Sequence, residues 1–132
     1  MSGAPRIHLV RRTSFSAAVQ EPSSGGRRSR AKGFGYNYRL EAYFEGEIHP
    51  LTGMIINLVD IDRWLKELTD QLDHRVLNEV PAFKGVFPTA ERVALFCLKD
   101  LEERIKAGGQ RARVVKVRLY EGDGLWVDAF AT

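Results

Sequence analysis

Between Phe34 and Phe44 the chain reads FGYNYRLEAYF. Phe34, Tyr36, Tyr38, Leu40, Ala42 and Phe44 occupy the even positions, with Gly35, Asn37, Arg39, Glu41 and Tyr43 between them. Side chains on a strand point alternately to opposite faces, so an alternation this long predicts a β-strand with one face buried. The strand opens on Gly33-Phe34-Gly35-Tyr36. Two glycines around a phenylalanine are an unusual start for a core strand, because glycine weakens a strand interior and brings no side chain to pack.

The rest of the chain supplies partners for that strand. A first strand at about 6–19 puts Ile7, Leu9, Phe15, Ala17 and Val19 on one face. Residues 20–33, QEPSSGGRRSRAKG, combine Pro, Ser, Gly and Arg and predict a mobile basic loop. HPLTG is a turn, in which Pro50 fixes φ and Gly53 can take positive φ. A helix then carries Ile61, Trp64, Leu65, Leu68 and Leu72 at helical spacing, with Asp60 as the expected N-cap. After a long connection at 73–88, a second helix starts at Thr89 and aligns Ala94, Leu98, Leu101 and Ile105 before the glycines of AGGQ end it. RVVKVRLYEGDGLWVDAF is a hairpin around Gly122-Asp123-Gly124, with Val115, Val117, Leu119 and Glu121 expected on one face. Strands flanking two consecutive helices predict an α+β fold: a four-stranded antiparallel sheet with both helices on one face.

At 132 residues the chain suits one domain, 1–132. Lys+Arg 20 against Asp+Glu 17 gives a net charge of +3, too weak to imply nucleic acid as a partner. No apolar run approaches the roughly 18 residues that a membrane span needs. Cys97 is the single cysteine, so no intrachain disulfide can form, and a reducing, cytoplasmic location is expected.

Several stretches taken together resemble one family: SFSAA, GxGxNY, GEIHPLTGMIINLVDI, LDHRVLNEVP, PTAERVA and VRLYE. They resemble the 6-pyruvoyltetrahydropterin and 6-carboxytetrahydropterin synthases over about residues 13–130. The resemblance implies the tunnelling fold, in which trimers close into a barrel and stack as a hexamer, a dimer of trimers. It also exposes a difference at the odd start of the strand. The family strand begins His-Gly-His-Asn-Tyr, and its two histidines bind zinc with a third that closes SFSAA. Here those places hold Phe34, Tyr36 and Val19. Phenyl and isopropyl groups offer zinc nothing, and a phenol is a poor ligand beside imidazole. His8, His49 and His74 lie at none of these positions. The family's catalytic cysteine, four or six residues before the first zinc histidine, falls on Arg30 or Arg28. The expectation is therefore no metal and no cofactor.

Other family positions remain. Asp73 and His74 match a pair that the resemblance assigns to proton transfer, although their spacing alone also fits a solvated loop. Glu91 matches a pocket glutamate, and it also suits the first turn of a helix for its dipole. Glu121 matches the glutamate that grips a pterin's N–H donors; a carboxylate ending an apolar face is costly to bury without donors. Tyr36 can serve as a phenol acid or base, or simply fill the former metal position. Thr89 and Phe34 complete the expected substrate contacts, giving Asp73, His74, Glu91 and Tyr36 as catalytic candidates. The implied function is a zinc-independent lyase, cyclase or isomerase acting on a planar small molecule in a specialised biosynthetic pathway. The other reading is a non-catalytic binding or structural homologue that forms the same oligomer.

Overall fold

The computed structural model describes residues 5–20 and 33–132. The expected basic loop lies outside them, apart from Gln20 and Gly33, which end one strand and begin the next. The elements are β1 (His8–Gln20), β2 (Gly33–Glu45), α1 (Leu58–Asp70), β3 (Arg75–Val76), α2 (Ala90–Ala107), β4 (Arg113–Glu121) and β5 (Trp126–Phe130). Two short 3-10 turns, Leu77–Glu79 and Pro81–Phe83, follow β3.

The sheet order is β3-β1-β2-β4-β5. The four expected strands run antiparallel, from His8 opposite Glu45 to Gln20 opposite Gly33 in the first pair. A fifth strand, the two-residue β3, adds to β1 in parallel and makes the sheet mixed. Two residues are too few for any periodicity to announce; His74 N, donating to Ser16 O at 2.6 Å, brings this segment to the edge.

Alternation on β2 sets the core. Tyr38, Leu40, Ala42 and Phe44 are all fully buried beneath the helices. Helix α1 adds Ile61, Trp64, Leu65 and Leu68 to this core, and α2 adds Ala94, Leu98, Leu101 and Ile105. The N-cap of α1 is Asn57, not Asp60. Asn57 has extended backbone angles and its side chain accepts from Val59 N at 2.8 Å. Asp60 lies inside the first turn, paired with Arg63 at 3.1 Å. Thr89 caps α2 by accepting from Arg92 N at 3.2 Å.

The expected face of β4 needs a second correction. A bulge opposite Tyr43 and Phe44 changes the phase of the strand. Val114, Val117 and Leu119 point inward, and Val115 falls between the two phases. The carbonyl of Val115 instead accepts from Ala131 N at 2.9 Å.

The face of the sheet away from the helices is ionic. Arg12 grips Glu41 at 2.6 Å, and Arg118 holds Asp128 at 2.7 Å. Glu41 is only 7% exposed, a burial that Arg12 offsets with two hydrogen bonds. His49 supports the HPLTG turn: its Nδ1 accepts from Leu51 N at 3.1 Å, and Gly53 has φ 73°.

Candidate functional site

Glu121 ends β4 directly opposite Tyr38 of β2. Tyr38 is fully buried, stacked on Phe15 with ring centroids 4.8 Å apart and 14° between planes. Its hydroxyl donates to Glu121 Oε2 at 3.5 Å. Burial pushes the Tyr38 phenol well up, and the Glu121 charge pushes in the same direction. Burial likewise raises the Glu121 carboxyl; the Tyr38 hydrogen bond opposes that rise, and the charge of Glu91 adds to it. Glu121, Glu91 and Tyr38 therefore share one neighbourhood. Tyr36 joins it, its ring 5.8 Å from that of Tyr38. Thr89 stands at the start of the helix that carries Glu91. Phe34 lies further along the same strand, 39% exposed.

Asp73 and His74 form a second cluster. Asp73 Oδ1 accepts from Ser16 N at 2.9 Å, and its Oδ2 lies 3.0 Å from His74 Nδ1. The Ser16 amide, and then His74, hold the Asp73 carboxyl below its usual range. His74 has φ 57°, the only positive value at a non-glycine among the described residues. Strained backbone of this kind costs of order 1–3 kcal/mol and persists only where the surroundings impose it. Here the bonds to Ser16 impose it, and they aim an imidazole 82% exposed into a cleft of about 370 Å³. Ser16, Gly35, Tyr36 and Asn37 line this cleft with His74. A Cβ on Gly35 would meet nothing within 4 Å. Glycine there answers no steric demand; it leaves the cleft open.

Tyr36 borders both clusters, but among the described residues no contact joins His74 to Glu121. From His74 to Glu121 the path crosses to Ser16, then to Asn37, then to the start of the β4–β5 turn at Gly122. Three strand spacings amount to about 14 Å. The described residues lining the clefts beside His74 do not include Glu121.

Val19, Phe34 and Tyr36 sit where the resemblance places zinc ligands. Val19 and Phe34 are paired across β1 and β2, and Ala17 is opposite Tyr36. Only the Tyr36 phenol carries a side-chain donor atom, so this set does not fit zinc. Among the described residues no group of three or more His, Cys, Asp or Glu is placed to hold a metal ion. The sequence 21–32 contains neither His nor Cys. No helix among the described residues is long and apolar enough to cross a membrane.

Tyr38 is the site residue that sequence reasoning missed. Its alternation marked it as core; only the β2–β4 register puts Glu121 opposite it. Ser16 was missed for a similar reason, since its contribution is a backbone amide.

The sequence and the fold are similar to those of known proteins. The model of the family described as 6-pyruvoyl tetrahydropterin synthase matches residues 8–131. The 6-pyruvoyl tetrahydrobiopterin synthase of Pongo abelii is 38% identical over 130 residues, covering 89% of this chain and 87% of the relative. The enzyme of the same name from Homo sapiens is 36% identical over the same shares. The structure of Caenorhabditis elegans 6-pyruvoyl tetrahydropterin synthase superimposes with a TM-score of 0.84 at 25% identity, covering 100% of both chains. With sequence and backbone agreeing over nearly the whole length, this chain belongs to the 6-pyruvoyl tetrahydropterin synthase family.

Proposed function

We propose that the chain is a pterin-synthase-like enzyme that works without zinc, catalysing a lyase, cyclisation or isomerisation step on a planar heterocycle by acid–base chemistry. The observation that carries this reading is the partly buried Glu121 carboxylate, which ends an apolar strand face with one oxygen near the Tyr38 hydroxyl. An amino group beside a ring N–H, as a pterin presents, matches the two oxygens of such a carboxylate. Tyr36 and Phe34 supply aromatic surface to the bound ring. Glu91 and the Thr89 hydroxyl stand at the helix start beside the anchor. Asp73 fixes the His74 tautomer with the proton on Nδ1, leaving Nε2 to accept or return a proton at the substrate.

The roughly 14 Å between His74 and Glu121 makes a site that uses both a shared one. His74 of one protomer then serves the pocket of another. The active form is a homo-oligomer, with a dimer of trimers as the arrangement proposed. Both clusters belong to one enzyme only on this condition, and the relatives' names supply the class of substrate.

The test is binding of a fluorescent pterin in the presence of EDTA. Binding that survives chelation and weakens in Glu121→Gln supports the reading. Binding that appears only after zinc is added overturns it.

A further inference from the structure

We propose that Tyr38 is the positioning residue of this pocket: its buried hydroxyl holds one oxygen of Glu121, so that the carboxylate plane and its second oxygen are aimed at the ligand. This rests on the reading of Glu121 as the ligand anchor and adds what orients it. Tyr38 is fully buried and cannot turn to water. Among the described residues its hydroxyl has one hydrogen-bond partner, Glu121 Oε2, and Glu121 Oε1 has none. The ring is fixed on one side by Phe15, stacked at 4.8 Å, and touches Tyr36 at 5.8 Å. A phenol with its ring immobilised has its O–H direction restricted to a narrow fan. The backbone repeats the constraint, because Tyr38 and Glu121 are direct partners across β2 and β4.

At 3.5 Å the contact is longer than the roughly 2.5–3.0 Å usual for an O–H···O hydrogen bond. A carboxylate with one oxygen still open has slack, and hydrogen bonds at reaction sites commonly shorten once ligand is present. A ligand with two N–H donors draws Glu121 into their plane, and Tyr38 sets the angle at which it arrives. The hydroxyl has a further effect: its bond favours the ionised carboxylate, against the burial and the Glu91 charge that disfavour it.

Tyr38→Phe tests this, since it keeps the ring and its stacking and removes only the hydroxyl. Carboxyl carbon NMR on glutamate-labelled protein follows the titration of Glu121 without any ligand, with Glu121→Gln identifying the resonance. The expected result in Tyr38→Phe is a Glu121 midpoint raised by about one unit, the size of one lost hydrogen bond. Pterin binding measured from pH 5 to 8 should show its acid limb displaced upward to match, with affinity about three- to tenfold weaker above that limb. Glu121→Asp, which shortens the anchor and leaves the phenol in place, should weaken binding without the matching displacement. If the midpoint and the binding curve of Tyr38→Phe both coincide with the parent's, Tyr38 is core packing only and the proposal falls. If the midpoint moves while the parent protein binds no pterin, the hold of Tyr38 on Glu121 stands and the anchor reading is what fails.

Discussion

Val19 and Phe34 face each other as direct partners across β1 and β2, and neither carries an atom that can ligate a metal. With Tyr36 two residues along, the positions that would need three imidazoles hold one phenol. Protein purified without a metal-affinity tag should therefore contain well under one zinc per chain by elemental analysis. The triple variant Val19→His, Phe34→His, Tyr36→His should take up zinc, since about three protein ligands make a site. One tightly held zinc in the parent protein would sink the metal-independent reading.

Glu121→Gln should weaken pterin binding about tenfold to a hundredfold. The amide loses the charge and replaces one acceptor with a donor aimed at the ligand's own donors. A hydrogen bond to a charged group is worth roughly 1.5–3 kcal/mol, which converts to that range. Equal affinities for variant and parent in fluorescence titration would remove Glu121 from the pocket.

His74→Ala should lower turnover of a reduced pterin by about 100- to 10,000-fold while leaving its binding nearly unchanged, because a proton-transfer group acts on the chemical step. Asp73→Asn should resemble it only in part: an amide can still reach Ser16 N, but it no longer favours the proton on His74 Nδ1. Sharing of the site also requires assembly. A monomer by light scattering at micromolar concentration, with turnover intact, would contradict the shared site.

Acid stability should report on Glu45. Arg6 and His8 hydrogen-bond to its carboxylate and lower its pKa from 4.5 to about 2, with Arg113 adding to the field. A carboxylate with a depressed folded-state pKa contributes stability that is present above the unfolded value and lost as pH falls through the folded one. Thermal melts from pH 6 to 2 should show the parent losing stability between about pH 4.5 and 2. Glu45→Gln should be less stable at pH 6, and its difference from the parent should close by pH 2. A constant difference across the series would show that Glu45 contributes by packing alone.

Much of the fold was legible because two periods carry it. Tyr38 to Phe44 alternate without interruption, and the stripes of α1 and α2 recur at helical spacing; in each the buried residue was identifiable from its neighbours. What escaped depends on partners remote in sequence. The bulge at Val115 exists because β2 and β4 must agree at both ends of their pairing. Asn57 takes the cap from Asp60 because its own backbone is extended and the helix begins at Leu58, which leaves Asp60 inside the first turn. The two residues of β3 follow from where α1 delivers the chain. At the site, Glu121 was identifiable as a carboxylate ending an apolar face. Its coupling to Tyr38 needed the register, and the distance from His74 needed the strand order.

The bulge at Val115 also bears on chain length. Deleting Val115 would leave Val114 inward, Lys116 outward and Val117 inward, an unbroken ladder against Tyr43 and Phe44. Because Val114 is also a valine, its deletion yields the same chain and the same ladder. The extra residue is thus a point at which the gene can lose a codon in frame with the core still aligned. Its cost would fall on the tether to Ala131.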